Sequence, residues 1–267
     1  TQGCFNSQIR FEETGCILQD SVPPRIQARM LTHIQHDRIL EVRLNRPPVN
    51  ALSPELIAAL RAAVAEAPAR ADALVISAGP GLFSAGLDVP TLLTLDRNRM
   101  RAVWIDFFGL IGGVAASPIP TVAAITGHSP AGGTVVALNC DYRVMADGPF
   151  KLGLNETQVG LALPPAILGS LQRLVGRHAA ERHIVAGNMI DAAAAHAIGL
   201  VDELVAPERV IERAIEWCQF HLSLPRRAMS VNRASARADL VALYSGADAH
   251  IDDFVDGWFH PESQAVL

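Results

Sequence analysis

Apolar and polar residues alternate over 31–35 and again over 39–44, on either side of His36-Asp37-Arg38. A period of two around a short polar break predicts a β-hairpin. Asn45-Arg46-Pro47-Pro48 reads as a loop. Ser53-Pro54-Glu55 then opens a helix to about Ala67, with a Ser cap, a Pro at the first helical position and an acid in the first turn. Residues 74–77 form a short buried strand that Gly79-Pro80-Gly81 ends. The pattern then predicts a helix over 99–115, a strand over 121–125, a loop over 127–131, a helix from about Gly132 and a strand over 142–145. From Pro164 onward it is mostly helical. Asp191 caps one helix, 200–205 reads as a strand, Pro207 opens a helix to about Phe220, and Pro225 and Asp239 start the last two. Alternating strands and helices followed by helices alone predict an α/β fold with a helical C-terminal part.

Residues 1–29 break this regularity. They mix Arg10, Glu12, Glu13, Asp20, Pro23, Pro24 and Arg25, with no apolar core of the kind a signal peptide needs. The acids also argue against a transit peptide. The segment reads as a leader or tail, with disorder an open alternative, and Met30 as a natural start or a domain boundary. The core is then 30–205 and the helical C-terminal region 206–267.

Composition narrows the class. Of 267 residues, 50% are hydrophobic and 18% charged, which excludes a disordered chain. A chain of this length buries roughly 70–75% of its unfolded surface, so no disulfide or metal is needed to hold it. The net charge is −5 and Lys151 is the only lysine, so the basic stripe of a nucleic-acid binder is missing. Cys4, Cys16, Cys140 and Cys218 fit neither a zinc pattern nor a disulfide framework. Reduced thiols in a cytosolic-type compartment are the simplest reading. The Ala- and Arg-rich style is bacterial and cytoplasmic, with a mitochondrial matrix not excluded. The longest stretch without Asp, Glu, Lys or Arg, 107–140, is cut by Pro118, Pro120, Pro130 and several glycines, and reads as buried core rather than a membrane span.

Three motifs fail on physics. Gly127-His128-Ser129-Pro130-Ala131 follows a strand and precedes a helix like the nucleophile elbow of α/β-hydrolases, but Pro130 has no N–H to give an oxyanion. Gly79-Pro80-Gly81 lacks the third glycine of a dinucleotide loop, which would fall at Ser84. His178 and His183 are five apart and do not share a helix face, so they make no zinc pair.

Three segments remain. Residues 81–88, Gly-Leu-Phe-Ser-Ala-Gly-Leu-Asp, are a small-residue turn after a strand. Ser129-Pro130-Ala131-Gly132-Gly133 opens a helix. In residues 152–160 one acid, Glu156, sits among Leu152, Leu154, Val159 and Leu161. Each has a plain reading: a turn, a close helix contact, a surface acid. Together they offer free backbone N–H groups for an oxyanion hole and an acid whose surroundings favour a raised pKa.

The chain resembles the crotonase family, also called enoyl-CoA hydratase/isomerase, from about Thr32 to the C-terminal helices. The carriers are residues 44–52 (Leu-Asn-Arg-Pro-Pro-Val-Asn-Ala-Leu), 83–88, 131–143 ending in Cys-Asp-Tyr-Arg, and 155–160. The resemblance implies a β-β-α spiral core with two nearly perpendicular sheets, and trimers, often paired into hexamers, joined through the C-terminal helices. It places the oxyanion-hole N–H groups at Leu87 and Gly132, a catalytic glutamate at Glu156, and the CoA path along Ser84, Ala85, Gly86, Leu87 and Asp88. Arg233 is a candidate for a CoA phosphate contact, with a solvated surface Arg an equal reading. The implied substrate is an acyl-CoA thioester. No metal, nicotinamide or flavin is implied, and coenzyme A enters as part of the substrate.

Departures from the family pattern select a branch. Where hydratases of the family carry a second glutamate, this chain has Val135; where dienoyl-CoA isomerases carry an extra aspartate, it has Pro164. One acid and one oxyanion hole remain, most similar to the Δ3,Δ2-enoyl-CoA isomerases of mitochondrial type. A hydratase or other crotonase-type acyl-CoA enzyme and a non-catalytic CoA-ester binder are the alternatives. Leu92, Leu93, Trp104, Phe107 and Phe108 are candidates for the acyl tunnel, each with ordinary helix core as its other reading.

Overall fold

The computed structural model describes residues 30–246 and 250–267. The leader over 1–29, with Cys4 and Cys16, lies outside the described residues. Two sheets organise the chain. The larger has six strands in the order β1 (Leu31–His36), β2 (Ile39–Leu44), β3 (Ala73–Ala78), β5 (Thr121–Ile125), β7 (Tyr142–Ala146) and β10 (Glu203–Val205). The smaller has four: β4 (Gly81–Leu82), β6 (Gly127–Pro130), β8 (Lys151–Gly153) and β9 (Met189–Asp191).

The hairpin forms as the alternation requires, with Leu31 opposite Leu44 and His36 opposite Ile39. From β2 onward the large sheet is parallel, and its strands are covered on both faces. On β3, Leu74 and Ile76 enter the main core, while Ala73 and Val75 face a second core shared with Val210, Ala214 and Cys218 of a C-terminal helix. Burial pushes the Cys140 thiol up to about 12, and it raises that of Cys218 as well.

Helix α1 (Pro54–Arg70) has the expected cap, with Ser53 Oγ accepting from the Leu56 N–H. It runs one turn past Ala67, because the Ala71 N–H still closes on the Ala67 carbonyl despite Pro68. Then come α2 (Val89–Leu92), α3 (Arg97–Ala115), α4 (Gly132–Leu138), α5 (Pro165–Val175), α6 (Arg177–Ala186) and α7 (Ala192–Ala197). The C-terminal part holds α8 (Val210–Ser223), α9 (Arg226–Ala236), α10 (Ala238–Tyr244), α11 (Ile251–Trp258) and α12 (Pro261–Val266).

Three expectations are corrected. Residues 127–130 are strand β6 rather than loop, paired with β4 and β8. Only Glu203–Val205 of the strand expected over 200–205 pairs with β7; the Leu200 and Val201 N–H groups turn back to the Ala195 carbonyl. Two helices follow the one begun near Asp239. The first, α11, carries the spacing of an amphipathic helix, with Ile251, Val255 and Trp258 buried. No helix among the described residues is long and apolar enough to cross a membrane.

Candidate active site

Three segments meet at one cavity, and each is held by bonds that leave a reactive group free. The first is the turn after β4. Ser84 donates its hydroxyl to the Asn50 carbonyl at 2.7 Å and accepts from the Gly86 N–H at 3.2 Å. Gly86 has φ +84°, a conformation that suits glycine. On either side of Leu87, the Gly86 carbonyl accepts from the Leu52 N–H at 2.7 Å and the Asp88 N–H donates to the Leu52 carbonyl at 3.1 Å. The Leu87 N–H itself has no hydrogen-bond partner among the described residues.

The second segment joins β6 to α4. Ala131 has φ +46° and ψ −119°, and its N–H donates to the Gly153 carbonyl at 2.8 Å. The next N–H, that of Gly132, is also unpartnered among the described residues. A Cβ on Gly132 would lie 3.5 Å from the Leu87 nitrogen, and one on Gly86 would lie 3.3 Å from the Gly132 nitrogen. The two free N–H groups are therefore neighbours, the arrangement that binds an oxygen gaining negative charge.

The third segment runs from β8 into the 3-10 turn Glu156–Val159. The Gly153 N–H donates to Thr134 Oγ1 at 3.1 Å and ties the strand to α4. Thr157 Oγ1 and Gln158 Nε2 donate to the Ile184 and Ala186 carbonyls at 2.7 and 3.2 Å, satisfying acceptors at the C-terminal end of α6. The Leu161 N–H closes the turn on the Glu156 carbonyl at 2.9 Å. The Glu156 backbone is pinned, and one oxygen of its carboxyl, Oε2, is covered and has no partner. Burial pushes its pKa up to about 7. A half-buried acid with one covered, unpartnered oxygen and a pKa near neutrality is suited to proton transfer.

Leu87, Gly132 and Glu156 line one cavity. Its remaining wall is mainly apolar and includes Trp104, Phe107, Val135, Ile167, Phe254 and Trp258. Asp253 also lines it, with a largely exposed carboxyl 3.3 Å from the His250 ring. Among the described residues no cluster of His, Cys, Asp or Glu could hold a metal.

Several sequence expectations land elsewhere. Of the five residues from Ser84 to Asp88, only Leu87 lines the cavity. The Ser84 hydroxyl is used inside the turn, and the Ala85 N–H donates to the Val49 carbonyl at 2.9 Å. Asp88 caps α2 at Thr91 and pairs with Arg46 at 2.5 Å. Arg233 does not offer a free cation for a phosphate. Its guanidinium makes two 2.8 Å bonds to Asp141 and a third to the Ser117 carbonyl at 2.6 Å. Burial pushes the Asp141 carboxyl up, but Arg233 and Arg237 outweigh this and hold it below its ordinary value. Of the tunnel candidates, Trp104 and Phe107 line the cavity; Leu92 is buried in the core and Leu93 is exposed. Phe254 and Trp258 were missed, though the apolar spacing of α11 was there to read. Ser129 is no nucleophile: it is fully buried in β6, and the neighbouring His128 ring bonds the Lys151 N–H.

A turn with a free N–H, a helix start with another and one half-buried glutamate make an arrangement suited to stabilising an enolate-type oxygen beside a proton-transfer group. The enoyl-CoA hydratase/isomerase pattern matches residues 35–252. A probable enoyl-CoA hydratase of Mycobacterium avium is 37% identical over 197 residues, 73% of this chain and 76% of that one. The human mitochondrial enoyl-CoA delta isomerase 1 is 34% identical over 220 residues, 80% of this chain and 72% of that one. The crystal structure of human mitochondrial delta3-delta2-enoyl-CoA isomerase superposes with a TM-score of 0.84 at 30% identity, covering 89% of this chain and 95% of that one. The chain belongs to the enoyl-CoA hydratase/isomerase, or crotonase, family, whose members act on acyl-CoA thioesters.

Proposed function

We propose that the protein is a Δ3,Δ2-enoyl-CoA isomerase. The observation that carries this is the covered, unpartnered Oε2 of Glu156 in a cavity shared with the free Leu87 and Gly132 N–H groups. A 3-enoyl-CoA thioester places its carbonyl oxygen between those two N–H groups. Its C2 proton is acidic because it lies between the carbonyl and the C3=C4 double bond. Glu156 takes that proton, and the electron pair spreads over a dienolate whose charge collects on the thioester oxygen. Each N–H contributes roughly 3 kcal/mol to that charge, as oxyanion donors do elsewhere. The protonated Glu156 then delivers the proton to C4, the double bond closes between C2 and C3, and the 2-trans-enoyl-CoA leaves.

A single base can perform both transfers because its pKa near 7 makes it competent as base and as acid at neutral pH. Hydration makes a further demand, since an oriented water must be activated while carbon is protonated. The cavity has Val135 and Pro164 at the places where the resemblance put further acids. The test is a coupled assay with 3-hexenoyl-CoA, comparing wild type with Glu156→Gln. Wild-type turnover lost in the variant, with CoA-ester binding kept, supports the isomerase. Activity surviving in the variant removes Glu156 as the shuttle. 3-Hydroxyacyl-CoA formed from 2-enoyl-CoA at a comparable rate moves the assignment to a hydratase.

A further inference from the structure

Among the described residues a second hollow, open to solvent, adjoins the first, lined in part by Phe108, Ala166, Leu243 and His250. Pro164 and Phe254 wall both cavities. Phe254 projects from α11, whose packing positions Ile251, Val255 and Trp258 are buried, whereas Phe254 is only half-buried. Its ring centroid lies 5.8 Å from that of Trp104, which lines the first cavity, and 5.7 Å from that of Phe108, which lines the second.

Protein interiors are packed so densely that a side chain seldom turns without displacing its neighbours. Phe254 borders a hollow on each of two sides, so its ring can turn with less displacement of packed atoms than the buried Ile251, Val255 or Trp258 would need. The thioester end of a substrate is fixed at Leu87 and Gly132. The acyl chain passes Glu156 and runs into the apolar wall formed by Trp104, Phe107 and Phe254.

We propose that Phe254 is a partition that sets the acyl-length limit of the enzyme. In the position seen, it stands between the two hollows and fits the site to short acyl chains. Turned aside, it joins the two cavities into one channel between α3, α5 and α11 that accepts long chains. The inference rests on reading the first cavity as the acyl site, and it adds the substrate class.

The experiment compares kcat/KM for 3-hexenoyl-CoA and 3-dodecenoyl-CoA in wild type, Phe254→Ala, Phe254→Leu and Phe254→Trp. Calorimetric binding of hexanoyl-CoA and dodecanoyl-CoA is measured in parallel. Wild type should favour the short chain. Phe254→Ala should raise the long-to-short ratio about tenfold, since each newly buried methylene is worth roughly fourfold in binding. Phe254→Leu should move the ratio the same way by less, and Phe254→Trp should lower it. The leucine variant keeps the test intact if the alanine variant fails to fold. A ratio that none of the variants changes, or a wild type that prefers the long chain, overturns the partition. Shifted binding selectivity without turnover of either 3-enoyl-CoA supports the partition and overturns the isomerase reading instead.

Discussion

Gly86 and Ala131 sit against each other, and each directly precedes one of the two free N–H groups. A Cβ on Gly86 would lie 3.0 Å from the Ala131 Cβ and 3.2 Å from the Pro130 carbonyl. Both residues have positive φ, +84° and +46°. The two turns that present the Leu87 and Gly132 N–H groups are therefore fitted to each other, and their spacing depends on the missing side chain at Gly86.

Gly86→Ala should separate the two N–H groups. The new methyl group meets backbone and a Cβ, neither of which can swing aside as a long side chain can. Disturbing one donor of such a pair costs about a hundredfold in kcat. Gly79→Ala is the control, because its Cβ would meet nothing within 4 Å. A Gly86→Ala enzyme with wild-type kcat would show that the two N–H groups do not act as a pair.

Ala131 holds a backbone conformation that L residues rarely adopt. Such strain costs on the order of 1–3 kcal/mol and tends to gather at functional sites. Ala131→Gly should therefore raise stability by about 1 kcal/mol in denaturant unfolding, after the larger chain entropy of unfolded glycine is deducted. It should also lower kcat, because the Gly132 N–H is then less firmly aimed. A loss of stability would mean that the turn is not strained.

Arg233→Gln should act on the fold rather than on the substrate. Asp141, whose carboxyl is almost wholly buried, would keep Arg237 at 3.1 Å as its one cation, with the Thr121 N–H and hydroxyl at 2.7 and 3.0 Å. Breaking a buried pair from one side costs about 3 kcal/mol. The expected result is a lower unfolding midpoint with KM for 3-hexenoyl-CoA unchanged. A raised KM at unchanged stability would return Arg233 to the CoA phosphate.

The β-hairpin, the Ser53 cap and the strand over 121–125 were legible because they are local: a period of two, a capping residue, a short uncharged run that is mostly apolar. The small sheet was not. β4, β8 and β9 have two or three residues each, too short for any period, and exist only because distant segments pair. The site divides the same way. The segments that hold Leu87, Gly132 and Glu156 stood out through turn chemistry and an acid among apolar neighbours, the family resemblance named Leu87 and Gly132 within them, and all three residues line one cavity. Arg233 looked free because nothing local reveals a partner 92 residues away.

Glu156→Gln should stabilise the fold above neutral pH. The folded-state pKa of about 7 exceeds the ordinary 4.5, so over that interval the folded state binds more protons than the unfolded state. Stability then falls as pH rises through the interval, by up to about 3 kcal/mol for a shift of this size. Glutamine has no such proton, so the variant should gain this amount by about pH 8 and nothing below about pH 4. Equal pH dependence in wild type and variant would show that the Glu156 carboxyl is not desolvated in solution.

The same ionisation sets the rate. Glu156 must begin each turnover as the carboxylate, so kcat/KM should rise with pH along a single-proton limb and level off above a midpoint near 7. An ordinary solvated glutamate would put that limb near 4.5 and leave the rate flat from pH 6 to 8. The limb belongs to the free enzyme, so it should appear in kcat/KM. An occupied acyl cavity excludes more water, which disfavours the carboxylate further and should move the kcat midpoint upward. Conservative replacement gives an independent check. Glu156→Asp keeps the carboxyl but draws it back by one methylene, so kcat should fall while a titrating limb remains. A limb near 7 that persists in Glu156→Gln would belong to some other group.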